Sequence, residues 1–171
     1  MIQLAFQPPY DAYHSVFRFF QLREVIGDRV ELERYRILDY YMCFPGELAS
    51  FRFTPSHKGF RKIGEKYAKA NDFERRPTSR AIFARMRMVQ AAALHTLENE
   101  GFLRVGCLDE LRVEQTSKPT PDAILARVKM RRETYSDVID VLSKLNAEYG
   151  LVGPAGLKAR SELLEHKYDA V

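Results

Sequence analysis

The sequence predicts a mainly α fold with one small β-hairpin, and two adjacent stretches between Thr78 and Gln115 predict it. From Ser79 to Asn99, the residues Ile82, Met86, Val89, Ala93 and Leu97 recur at helical spacing and gather on one face, with Gly101 as a stop signal. Directly afterwards the period changes. Phe102-Leu103-Arg104-Val105 and Glu110-Leu111-Arg112-Val113 are short β-prone runs joined by Gly106-Cys107-Leu108-Asp109, a loop whose Gly and Asp favour a tight turn. A long helix feeding straight into a hairpin is the second half of a winged helix-turn-helix. The expected architecture is therefore α+β, a winged helix-turn-helix core with additional N- and C-terminal helices. Residues 1–115 should form the winged-helix-like domain with its N-terminal helix. Residues 116–171 should form a linker and a C-terminal helical extension packed on that core or on a partner.

Length and charge bound the function. A chain of 171 residues is large enough for one substantial core. No stretch approaches the roughly 20 apolar residues of a membrane span, and the start lacks the charged-then-apolar pattern of a signal peptide. A soluble, cytoplasmic protein without a membrane partner is expected. Cys43 and Cys107 stand apart, with no Cys-x-x-Cys spacing, and read as free thiols of a reducing compartment. The net charge of +4 is unevenly spread: from Arg52 to Arg87 there are eleven Lys or Arg residues against Glu65, Asp72 and Glu74, a local net of +8. Such a block attracts phosphate or an acidic partner without distinguishing them.

The elements follow in order. Tyr10 to Ile26 reads as a helix with two apolar faces, Tyr13, Phe17 and Phe20 on one and Phe19, Leu22 and Ile26 nearly opposite. One face meets the protein's own core; the second needs cover from the C-terminal helices, a second copy or another protein, which makes Phe19, Leu22 and Ile26 a candidate partner interface. Gly27-Asp28 breaks the chain. Glu31 to Phe44 is the next helix, apolar over most of its circumference, with Arg36 and Asp39 spaced to pair on its polar strip. Pro45-Gly46 ends it, and Ala49 to Phe53 is a short β-prone run. Lys58 to Ala70 is basic and helical, Phe60, Ile63 and Tyr67 facing inward. Asn71 to Thr78 is a polar connector, and Thr78 or Ser79 can cap the long helix. On that helix Arg80, Ala84, Arg87 and Ala91 lie opposite the apolar stripe, where a DNA-reading winged helix would present its major-groove face. Lys58, Arg61, Lys62, Arg75, Arg76, Arg80 and Arg87 are thus the candidate nucleic-acid or acidic-partner contacts. Thr116 to Pro121 is a proline-extended linker. Asp122 to Arg132, Thr134 to Tyr149 and Pro154 to His166 read as helices, too short to stand alone.

Chemistry is nearly absent from the sequence. His14, His57, His95 and His166 are scattered, and His95-x-x-Glu98 is one isolated pair where a metal needs more ligands. There is no glycine-rich phosphate loop and no Gly-x-Ser-x-Gly elbow. Cys43 sits in a predicted buried helix, where a thiol is inert. His14 and Ser15 are adjacent and point about 100 degrees apart on a helix, so they form no dyad. A chain with no catalytic role, no cofactor, no metal and no small-molecule substrate is expected.

Two stretches carry a family resemblance. Asp11-Ala-Tyr13-His14-Ser-Val-Phe17-Arg18 and Leu32-Glu-Arg34-Tyr-Arg36-Ile37-Leu38-Asp39-Tyr40-Tyr41-Met-Cys-Phe44-Pro45 resemble the start of the middle components of bacterial ABC-type three-component systems, the Lamassu-like defence operons. The resemblance covers the first fifty residues, agrees in pattern from Phe60 to Val113, and does not reach the C-terminal third. It implies a non-catalytic adaptor with a winged-helix core that joins an SMC or Rad50-like ATPase to an effector, often a nuclease, in defence against phage or plasmids. The alternative is a homodimeric winged-helix transcriptional regulator that binds double-stranded DNA through Arg80 and Arg87, with a wing around Gly106 to Glu110. Acidic Asp109 and Glu110 at the wing tip weigh against phosphate contact there.

Overall fold

The computed structural model describes residues 8–68 and 77–164. The chain is mainly helical. α1 (Ala12–Ile26) is followed by the short strand β1 (Arg29–Glu31) and α2 (Leu32–Cys43). Two 3-10 segments, Pro45–Ser50 and Pro55–Phe60, lead into α3 (Arg61–Ala68), and the long α4 (Ser79–Asn99) comes next. A turn region ends in β2 (Arg112–Glu114), and α5 (Asp122–Thr134), α6 (Ser136–Glu148) and α7 (Leu157–Ser161) complete the described chain. Of the two expected candidates for the α4 cap, Thr78 serves, its hydroxyl accepting the Ala81 amide at 3.3 Å, and α1 has a cap the sequence reading did not name, Asp11, which accepts the His14 amide at 3.1 Å.

α1 is the hub. It packs against α4 and α2 on one side and against α5 and α6 on the other, and this corrects the expectation for its second face. Phe19 and Leu22 are 0% exposed and Ile26 is 2% exposed, so the candidate partner interface is already buried within this chain, Phe19 lying against Tyr35 of α2. Burying three such side chains internally gains roughly 1.5–3 kcal/mol each, which only a permanently docked partner could match. Val138, Val141, Leu142 and Leu145 of α6 join the same core cluster. Polar ties fasten the extension as well. Arg34 reaches from α2 to the last carbonyls of α6, donating to Tyr149 at 2.7 Å and Asn146 at 3.2 Å, a cation at a helix C-terminus. The residues read as a linker are held down: Arg23 donates to the Thr120 hydroxyl at 3.3 Å, and the Thr116 hydroxyl donates to the Gly101 carbonyl at 2.6 Å.

The centre of the bundle is polar, and here the expected Arg36–Asp39 surface pair gives way to something else. Asp39 is 0% exposed and meets Arg18 of α1 as a two-pronged ion pair, Nε to Oδ1 at 2.6 Å and Nη2 to Oδ2 at 3.1 Å. The Gln90 amide of α4 donates to the same carboxylate at 2.8 Å, while its carbonyl oxygen accepts from Arg36 Nε at 2.9 Å. Burial alone would lower the Arg18 guanidinium, but the charge and hydrogen bonds of Asp39 raise it above its ordinary value. Arg36 and Asp39 share α2 yet bond through Gln90, because helix packing turns Asp39 inward between α1 and α4.

The sheet also differs from the expected hairpin. β1 and β2 pair antiparallel, Arg29 with Glu114, Val30 with Val113 and Glu31 with Arg112, with both valines buried. Phe102 to Val105 contributes one bridge, Leu103 with Gln115. The end of α4 takes the first two amides, Phe102 N and Leu103 N both donating to the Leu97 carbonyl; Arg104 N donates across to Glu114 O at 2.9 Å, and the turn has already begun where Cys107 N donates to Arg104 O at 3.1 Å. The small early strand lies at Arg29–Glu31, and Ala49 to Phe53 instead contributes to the 3-10 turn Pro45–Ser50 and an extended stretch. Against that 3-10 turn α3 packs backbone to backbone. A Cβ on Gly64 would stand 2.1 Å from Ala49 N, so only glycine allows the approach.

Candidate interaction surface

α4 buries one face, Ile82, Phe83, Met86, Gln90, Ala93, Leu94 and Leu97. Arg80, Ala84, Arg87 and Ala91 remain exposed in one row, with Arg85, Met88 and Ala92 in the next. The predicted α4 contacts thus do share an outward row, and Arg85 joins them from the neighbouring one. The rest of the basic block divides. Lys58 ends a 3-10 turn and Arg61 and Lys62 open α3, all exposed, on elements that pack chiefly against Pro45–Ser50 and one another. Arg75 and Arg76 lie outside the described residues.

Between α2, α4 and the turn at 106–111 runs a groove of about 550 Å³. The half-buried Leu32 and Leu151 contribute apolar surface over a floor that includes the buried Leu94 and Leu108, Arg36 and Arg87 line it, and Leu111 stands on the turn. Arg36 is fixed there by the buried network: its Nε is engaged by Gln90 and its plane lies over the Phe83 ring, 4.5 Å from the centroid. Burial and, after it, the charge of Arg87 push the Arg36 guanidinium below its ordinary value. Leu111 is the unusual residue, with φ +56° and 69% exposure. A branched apolar side chain rarely adopts that left-handed backbone. The turn holds it there: Leu111 N donates to Leu108 O at 3.0 Å, and its carbonyl accepts from Leu32 N at the start of α2 at 2.8 Å.

The turn itself offers little free positive charge. Arg104 is engaged by Glu110 at 2.6 Å and Glu114 at 3.0 Å. Glu98 serves the turn too, accepting the Gly106 amide at 2.7 Å, with His95 3.7 Å away on its other oxygen. Among the described residues, no group of three or more His, Cys, Asp or Glu could hold a metal. No described helix is long and apolar enough to cross a membrane. Burial pushes the Cys43 thiol up to about 11, which removes it as a nucleophile near neutrality.

Sequence reasoning missed the Arg36–Gln90–Asp39–Arg18 chain and Leu111. Gln90 was a usable signal: it falls four residues after Met86 and three before Ala93, inside the apolar stripe, where a buried amide requires polar partners. Leu111 left none, since its conformation is imposed by contacts to Leu108 and Leu32.

Comparison with protein families gives a match over residues 4–169 to the family described as ABC-three component (ABC-3C) system Middle Component 5. Comparisons with curated proteins and with solved structures give no match.

Proposed function

Because this chain belongs to the Middle Component 5 family of ABC-three component systems, we propose that it is the non-catalytic adaptor of such a system, bridging an SMC or Rad50-like ATPase and an effector in bacterial defence. Membership carries the reading: a middle component works among the other components of its system, so its partners are proteins. In this reading the ATPase supplies nucleotide hydrolysis, the effector does the damage, and the adaptor works in the cytoplasm. The order of elements supports a winged-helix core. A helix, strand β1, a second helix and the long α4 are followed by Leu103 and β2, with β2 paired to both β1 and Leu103. The surface available to partners is the outward side of α4 with the groove beside it, because the second face of α1 is already closed.

The exposed row Arg80, Arg87 and neighbouring Arg85 favours a second role, contact with double-stranded DNA. It is the weaker reading, since Arg104 at the turn is neutralised by two carboxylates and Asp109 and Glu110 are exposed there. The test is affinity purification of the tagged chain expressed with its system, under nuclease treatment. Retention of the ATPase and effector is expected. Recovery of the chain alone, with salt-dependent duplex binding abolished by Arg80→Glu and Arg87→Glu, would replace the adaptor with a regulator.

A further inference from the structure

Two guanidinium groups, Arg36 and Arg87, line one groove, and among the described residues neither has an ion-pair partner. Like charges placed together without an ion-pairing carboxylate repel in the free protein, and an anion that pairs with both relieves the repulsion. The acids on the same groove form no ion pair with them, although the charge of Glu33 partly offsets that of Arg87 at Arg36. Glu31 is engaged by Arg34 at 2.8 Å, and Glu33 by Lys158 at 2.6 Å. Arg36 is also unusually well prepared. Gln90 holds Nε, Phe83 holds the plane, and the two terminal nitrogens have no hydrogen-bond partner among the described residues. A fixed fork of that kind matches the two oxygens of a carboxylate. Beside it the half-buried Leu32 and Leu151 offer apolar surface, with Leu111 held out toward solvent in a strained backbone conformation.

We infer that this groove binds a segment of one of the other components of the system, in which an Asp or Glu side chain seats on Arg36 and Arg87 and an adjacent large apolar side chain packs on Leu32, Leu151 and Leu111. The inference rests on the adaptor reading and gives it an address. Nucleic acid fits the groove less well, because apolar leucines offer nothing to a sugar-phosphate backbone. An acidic, apolar peptide fits both halves of the site.

The experiment uses the full chain and an array of overlapping peptides tiling the other two components, with the best binder then titrated by fluorescence anisotropy. Binding peptides should share an Asp or Glu next to Leu, Phe or Met, and affinity should fall with salt. Arg87→Glu, at an exposed site, and Arg36→Lys, which keeps the charge but loses the fork, should each weaken binding about tenfold or more. Leu111→Gly separates docking from folding. It relieves the left-handed strain, so thermal stability should hold or rise, while affinity falls several-fold. Arg127→Glu on α5 is the control and should leave affinity unchanged. The inference is overturned if no tiled peptide binds saturably although the intact components form a complex, an outcome that leaves the adaptor reading standing. Affinity indifferent to Arg87→Glu and Leu111→Gly overturns it too, as does a duplex-DNA shift or a homodimer abolished by Arg87→Glu. Failure of the intact components to associate removes the adaptor reading and this inference together.

Discussion

Replacing Asp39 by Ala removes a carboxylate that is 0% exposed and receives three hydrogen bonds, from Arg18 at 2.6 and 3.1 Å and from Gln90 at 2.8 Å. The guanidinium of Arg18, also buried, would be left with the Pro8 carbonyl at 3.3 Å as its remaining bonded partner among the described residues. Breaking a buried pair from one side costs about 3–5 kcal/mol, because the surviving charge stays desolvated. For a chain of this size that corresponds to a loss of roughly 6–20 °C in melting temperature. The control is Arg18→Met with Asp39→Leu, which removes both charges. Gln90 keeps a 3.3 Å bond to the Arg36 carbonyl, so the double variant should lose only about 1 kcal/mol, the value of the one bond forfeited. Urea unfolding with linear extrapolation reads both. A loss under about 1 kcal/mol for Asp39→Ala would refute the reasoning. So would a double variant less stable than the single one, because the cost would then lie in packing and not in the stranded charge.

Three further expectations rest on other parts of the molecule. Gly64→Ala drives a Cβ into the Ala49 and Leu48 backbone, at 2.1 and 2.6 Å, and should destabilise by about 1–3 kcal/mol or more in chemical denaturation; neutrality would mean α3 stands farther from the 3-10 turn. Cys43, half-buried with its thiol pushed up to about 11, and buried Cys107 should resist a thiol reagent at neutral pH in the native protein and react on unfolding; rapid native labelling of Cys43 would contradict its raised value, and of Cys107 its burial. Burial tends to raise Asp137, but hydrogen bonds from Lys66 and Tyr67 outweigh it and hold the carboxyl below its ordinary 3.8. A depressed folded value stabilises fully above 3.8 and is lost as pH falls through the depressed value. Melting temperature against pH should therefore fall less steeply at the acid end in Asp137→Asn than in the parent, and parallel curves would show that the carboxylate contributes nothing.

The long-period parts of the fold were legible and the short, non-local parts were not. The bounds of α4 follow from its stripe and its caps, Thr78 in front and Gly101, at φ +78°, behind. β1 was hidden: three residues between a Gly-Asp break and a helix have no period of their own, and Val30 becomes a strand residue only opposite Val113, more than eighty positions away. The second apolar face of α1 was visible, but its occupant depended on how α5 and α6 return to it, which no local pattern states. Asp39 illustrates the same limit for polar residues. Its spacing from Arg36 suggested a surface pair, and only the meeting of three helices makes it a buried acceptor. For the candidate surface, the exposed row on α4 was readable from periodicity. The groove was not, since it takes Arg36 from α2, Arg87 from α4 and Leu111 from a strained turn.

If the adaptor proposal holds, this middle component binds its protein partners directly. The most direct test mixes the purified, nuclease-treated chain with the purified ATPase component of its own system and weighs the product by light scattering on a sizing column. A complex of the two proteins, formed without DNA and reduced by Arg87→Glu, is the predicted result. Two separate peaks at every salt concentration, with the chain bound only to added duplex DNA, would contradict it.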